Sequence, residues 1–125
     1  MRIIRDPQVY VVGRQSIGMD ELERFLSDHD VQSWTTDTEV AGQKLCEIAG
    51  RVCYMSFARP RPGGNAPYLD HLLEVGHGSV LEHAVWNFIF TGVSRSLTHE
   101  LIRHRAGFGY SQLSQRYVDE SDTDF

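Results

Sequence analysis

Residues 103–117 hold the densest set of groups able to do chemistry: Arg103-His104-Arg105, then Gly107 and Gly109, then Ser111, Gln112, Ser114, Gln115 and Arg116. Guanidinium groups are planar, permanently charged and suited to bidentate contact with phosphate or carboxylate. Glycines directly after them let the backbone come close to a ligand. The hydroxyls and amides that follow suit the donor and acceptor edge of a planar heterocycle, and Arg116 can clamp a phosphate at its other end. Two readings stay open for the triplet. Cations at a helix C-terminus offset its dipole by ~0.3–1 kcal/mol. Alternatively, three adjacent helical positions are spread by ~100° each, so the triplet can serve anionic ligands on two sides. On residue types alone, this is a nucleotide-binding site with room for a second phosphorylated ligand.

Several other patterns fail on spacing. His99-Glu100 and His104 imitate a zinc-protease motif, but the histidines lie ~140° apart around a helix instead of on one face. Gly76-x-Gly78 lacks the third glycine and the strand-to-helix setting of a dinucleotide fingerprint. Gly109-x-Ser111 has Leu113 where a nucleophile elbow needs glycine. His71, His77 and His83 straddle a glycine break and make a poor zinc set, so no metal is expected. Cys46 and Cys53 are ~10 Å apart along a helix, too far for a disulfide. Two thiols without a framework suit a reducing cytoplasm, and both are expected to be buried.

The chain has 125 residues, 41% hydrophobic and 23% charged, which suits one globular domain with its own core. No apolar stretch approaches the ~20 residues of a membrane span, and the first residues lack a secretory apolar run. The net charge of −5 argues against broad binding to a nucleic acid polymer. Within that balance, Lys44 is the only lysine, and Arg95, Arg103, Arg105 and Arg116 cluster while acidic residues crowd the end after Val118.

The elements that must position these groups are legible in outline. Residues 3–4 and 9–12 read as strand, ended by Gly13. Asp20 is a plausible cap for a helix reaching Phe25 and Leu26, and 27–37 reads as loop. Asp37 or Thr38 then caps a helix with an apolar stripe of Val40, Ala41, Leu45, Ile48, Ala49 and Val52. Asn65 and Pro67 start another, with Tyr68, Leu69, Leu72, Leu73 and Val75 facing inward and Gly76 as its stop. Residues 85–91 are rich in strand formers, with Trp86 and Phe88 expected in the core, and Gly92 ends them. Ser94 caps a last helix running to about Arg105. The expected fold class is α/β of the α+β type: one domain with a small, mostly antiparallel sheet packed by helices.

Two segments together resemble the flavin-dependent thymidylate synthase family: His77-Gly78-Ser79-x-x-Glu82-His83, and Arg103-His104-Arg105 followed by Ser114-x-Arg116-Tyr117. Ala49-Gly50-Arg51-Val52-Cys53-Tyr54 and Ser94 through Arg103 are similar as well, so the resemblance runs over roughly residues 38–118. It implies C5-methylation of a uracil nucleotide, dUMP to dTMP, with methylenetetrahydrofolate as one-carbon donor, FAD as hydride carrier and NADPH as reductant. It further implies a homotetramer. Carried over by position, Arg103 would lie between flavin and nucleotide. His77, Ser79, Arg103, His104, Arg105 and Gln112 would contact FAD. Glu100, Leu101, Ile102 and Arg103, with Gln112, Leu113, Ser114, Gln115 and Arg116, would hold the nucleotide. Arg103, Ser114 and His77 stand nearest the chemistry, Ser114 as a positioning group and not a nucleophile, since no adjacent base is evident.

Two departures matter. Ala106 to Leu113 is one residue longer than the family's spacing, with Ala106-Gly107-Phe108-Gly109 replacing a bulkier, hydroxyl-containing stretch; this suggests altered nucleotide choice, including acceptance of UMP. The chain, read as a single domain over residues 1–125, is also about half the size the family leads one to expect, so either it is a fragment or the family's C-terminal half is not represented in it. The alternative to the enzyme is a non-catalytic homologue or fragment that binds nucleotide or flavin.

Overall fold

The computed structural model describes residues 6–59 and 62–118. In order, these form β1 (Gln8–Arg14), α1 (Met19–Asp28), α2 (Ala41–Tyr54), α3 (Asn65–Glu74), a 3-10 helix (Gly78–His83), β2 (Trp86–Thr91) and α4 (Arg95–Leu101). The strands pair as a two-stranded antiparallel sheet, giving the expected α+β class. Residues 3–4 lie outside the described residues. The chain divides into two compact units, Val12–Asn87 and the remainder, with the division falling within both strands.

The helical unit, Val12–Asn87, is built around α2. Its buried face is not the expected apolar stripe: Gly42, Cys46 and Gly50 line one row, and Glu47 and Arg51 sit beside it. Val40 and Val52 are exposed. Small residues at four-residue steps let bulky partners come in close. A Cβ at Gly42 would sit 2.8 Å from the Trp86 ring, and one at Gly50 would collide with the Tyr68 hydroxyl. Cys46, Tyr68, Leu72 and Val80 form the core cluster, with Ala49, Leu69, Leu81 and Ala84 against it. A second aromatic group joins α1 to the turn after α2, with Phe57 edge-on to Phe25 at 6.0 Å and to Trp34 at 5.6 Å.

Helix ends are capped from unexpected places. Gly18 precedes α1, and Asp20 lies in its first turn, where a carboxylate favours the dipole. The Thr38 hydroxyl accepts the Val40 amide at 3.1 Å, while Asp37 reaches forward to accept the Asn65 amide at the start of α3 at 2.8 Å. Met55 closes α2 in the left-handed region (φ 42°), and the Ser56 amide returns to the Arg51 carbonyl at 3.0 Å.

Three expectations about burial and one about a helix end are corrected. Leu73 and Val75 of the α3 stripe are exposed, because only the Tyr68–Leu72 side of that helix meets α2. Trp86 is 37% exposed although its ring packs on Gly42 of α2, and Phe88, on a ribbon of two strands among the described residues, is 48% exposed. Cys53 is exposed while Cys46 is buried, since seven positions turn a helix almost twice but leave Cys53 beyond the packed turns. The last helix ends at Leu101, short of Arg105.

The two thiols should therefore behave differently. Burial pushes the Cys46 thiol up from its ordinary value, partly offset by a backbone hydrogen bond from Ala84. A thiol reagent at neutral pH should modify Cys53 quickly and Cys46 only at the rate of opening; two equally fast thiols would contradict this. The linkage has a definite sign. On alkaline titration the unfolded chain loses the Cys46 proton before the folded one does. The contribution of this thiol to stability is intact below the unfolded value and is lost as pH rises toward the folded one.

Candidate functional site

In the helical unit, the expected site residues are His77 and Ser79. The chain reverses after α3 through Gly76 (φ 72°), and the His77 amide donates to the Leu72 carbonyl at 2.9 Å. This sets the imidazole parallel to the Tyr54 ring, with centroids 5.9 Å apart and planes inclined by 20°. Both rings line an open, largely apolar cavity of about 380 Å³, together with Ser56, Tyr68, His71, Leu72 and Val75. Ser79 lies exposed one turn on, in the 3-10 helix. Tyr54 belonged to the motif-bearing segment, but its place beside His77 depends on how α2 meets α3, which residue order does not reveal.

The cavity rests on a network that the sequence reading missed. Glu47 and Arg51, 2% and 4% exposed, form an ion pair across one turn of α2. Arg51 Nε and Nη2 both donate to Glu47 Oε1, at 2.8 and 2.7 Å, and Nη1 donates to the Ser56 carbonyl at 3.0 Å. Glu47 Oε2 accepts from Thr36 Oγ1 at 2.6 Å and from Asn65 Nδ2 at 2.7 Å. The guanidinium also lies 5.0 Å from the Tyr68 ring, so the pair braces a wall of the cavity. The one available signal was the Glu-x-x-x-Arg spacing, which normally marks a solvated helix face.

Filling Gly50 tests this wall. Gly50→Ala should destabilise by about 1–3 kcal/mol, read from denaturant unfolding, because Tyr68 must move off α2 to make room. An unchanged midpoint would mean the two helices are loosely apposed.

The other unit carries the remaining expected residues. Ser94 caps α4 by accepting the Leu97 amide at 3.1 Å. After Leu101 the bonds tighten: the Arg103 amide goes to the Glu100 carbonyl and the His104 amide to the Leu101 carbonyl. This three-residue spacing ends the helix. Arg103-His104-Arg105 therefore lies in the loop beyond α4, and the even angular spread of a continued helix does not apply. Arg103 Nη2 is 2.9 Å from His99 Nε2, and since a guanidinium can only donate, that nitrogen accepts. Arg105 makes no side-chain hydrogen bond or ion pair among the described residues.

The loop is tied back to α4 at two points. Gln112 Nε2 donates to Thr98 Oγ1 at 2.9 Å, and Arg95 Nη2 donates to the Leu113 carbonyl at 2.8 Å. Ser114 Oγ accepts the Arg116 amide at 3.3 Å, and the Arg116 guanidinium lies 5.4 Å from the Tyr117 ring. Glu100, Leu101, Ile102, Leu113 and Gln115 are exposed on the same segment. Exposed cationic and amide groups on a braced loop can hold an anionic, planar ligand. Among the described residues no group of His, Cys, Asp and Glu is placed to hold a metal, and no helix is long and apolar enough to cross a membrane.

Residues 36–125 match the family model described as thymidylate synthase complementing protein. The chain is 58% identical over 101 residues to the flavin-dependent thymidylate synthases of Mycobacterium tuberculosis (strain H37Rv) and Mycobacterium bovis (strain AF2122/97), covering 79% of this chain and 39% of each relative. The protein of the same name from Mycobacterium leprae (strain TN) is 57% identical over 100 residues, covering 78% of this chain and 38% of the relative. The chain thus spans well under half the length of these curated relatives.

Proposed function

The chain belongs to the thymidylate synthase complementing protein family, and from that premise we propose that it supplies the flavin- and nucleotide-binding part of an enzyme that methylates C5 of a uracil nucleotide. The observation that carries this reading is the pairing of the 58% identity with an intact Arg103-His104-Arg105…Ser114-x-Arg116 series on a braced, exposed loop.

The residues present fit an anionic flavin nucleotide: Arg105 has no partner among the described residues, Arg103 donates to His99 and stands 3.9 Å from the exposed Glu100 carboxylate, and His104 and Gln112 offer further polar atoms. By their positions in the family signature, His77, Ser79, Arg103, His104, Arg105 and Gln112 are the groups that would contact FAD. Bound FAD supplies hydride transfer, with NADPH as reductant and methylenetetrahydrofolate as one-carbon source. The protein's own part is electrostatic. Arg103 and Arg105 offset negative charge on the flavin ring and on the phosphates. Glu100 through Arg103 and Gln112 through Arg116 orient the nucleotide, and donors at its carbonyls draw electron density through the ring toward C5. Ser114, whose hydroxyl is engaged with the Arg116 amide and has no hydrogen-bonded base among the described residues, positions the uracil instead of attacking it. The longer, glycine-bearing stretch after Arg105 favours a pocket that admits a 2′-hydroxyl, hence UMP as well as dUMP. The working form is a cytoplasmic homotetramer.

Purified protein should take up FAD and show flavin bands near ~370 and ~450 nm, and uracil nucleotides should perturb them. A colourless protein that takes up no FAD would overturn the enzymatic reading in favour of a non-catalytic homologue. Normal perturbation by dUMP with none by UMP would remove the broadened nucleotide choice alone.

A further inference from the structure

We infer that Phe108 and Tyr110 form a stacking platform for a planar ring of the flavin nucleotide, on the turn that carries Arg105; the inference rests on the flavin reading above. The Phe108 ring is 64% exposed and lies nearly parallel to that of Tyr110, with centroids 5.9 Å apart and planes inclined by 19°. Both rings are fastened to the cationic turn. The Phe108 amide donates to the Arg105 carbonyl at 3.1 Å, and the Tyr110 hydroxyl donates to the His104 carbonyl at 3.0 Å. Gly107, at φ 78°, makes the reversal that brings Phe108 back over this turn.

The surroundings are open. A Cβ built on Gly107 or on Gly109 meets nothing within 4 Å, so these glycines are not making room for a packed neighbour. A large aromatic face is thus presented on the same turn as Arg105, whose side chain has no partner among the described residues. The ligand chemistry matching both at once is a planar π-system carried on an anionic chain, which is what a flavin nucleotide offers. Stacking is tolerant of ring type, because every such ring has a π-face.

The test measures FAD affinity by fluorescence titration for the unaltered chain, Phe108→Leu and Phe108→Trp, with far-UV circular dichroism confirming equal folding at this exposed position. Phe108→Leu should weaken FAD binding roughly 10-fold, and Phe108→Trp should keep it. FMN separates the two rings of the cofactor: a matching loss for FMN assigns the isoalloxazine, and a loss for FAD alone assigns the adenine. Equal affinity in Phe108→Leu, or equal loss in both variants, would overturn the platform while leaving the flavin reading standing. Failure of the unaltered chain to bind FAD would instead overturn the reading on which the platform rests.

Discussion

Arg51→Met should cost about 3–5 kcal/mol of folding stability, because it leaves the Glu47 carboxylate buried without its counter-charge. The remaining donors, Thr36 and Asn65, are neutral and reach only Oε2, so Oε1 loses both of its charged partners. The Ser56 carbonyl loses its donor as well, and the Tyr68 ring loses the cation packed on it. Urea unfolding followed by circular dichroism reads the loss directly. The double variant Glu47→Gln with Arg51→Met should recover a large part of it, since the worst term is the uncompensated charge and not the absence of the pair. A loss below about 1 kcal/mol in the single variant would rank the pair with exposed ones, against the burial of both side chains. A linked effect is expected at the cavity, whose Tyr68 wall is braced by the same guanidinium.

Arg103→Ala should lower nucleotide methylation by about 10²–10³-fold, the scale seen when one preorganised donor is removed from the point where charge develops. Arg103→Lys should restore little, because an ammonium cannot reproduce the planar fork that contacts two groups together. The position is exposed and lies beyond the helix, so folding should be unaffected. Its hydrogen bond to His99 gives a graded control: His99→Ala keeps the cation and its pairing with Glu100 while removing one tether, and the expected loss is smaller than for Arg103→Ala. Turnover of Arg103→Ala equal to that of the parent, in protein that still binds FAD and nucleotide, would remove Arg103 from the chemistry.

Local order was legible before any tertiary contact was known. Val9 to Val12 and residues 86–91 are strands, Ser94 caps the helix before the signature, Asn65 opens α3, and Gly76 closes its turn. Each depends on neighbours within about four positions, where propensity, capping chemistry and period act directly. The same is true of the signature residues, whose types and spacing are present in the chain itself and identified the family without coordinates.

Burial was decided elsewhere, by what another part of the chain brings to a residue. Glu47 and Arg51 read as a solvated pair until Asn65, Thr36 and Tyr68 enclose them. Gly42 and Gly50 read as weak points in a helix until Trp86 and Tyr68 need the space they leave. Asp37, expected at the start of α2, caps α3 from 28 positions away. Phe88, apolar enough for a core, stays exposed on a ribbon that has two strands among the described residues, and Trp86 is covered only on the side that meets Gly42. Hydrophobicity and period state which side chains gain by leaving water; only the packing of distant segments determines which of them do, and which charges are taken in with them.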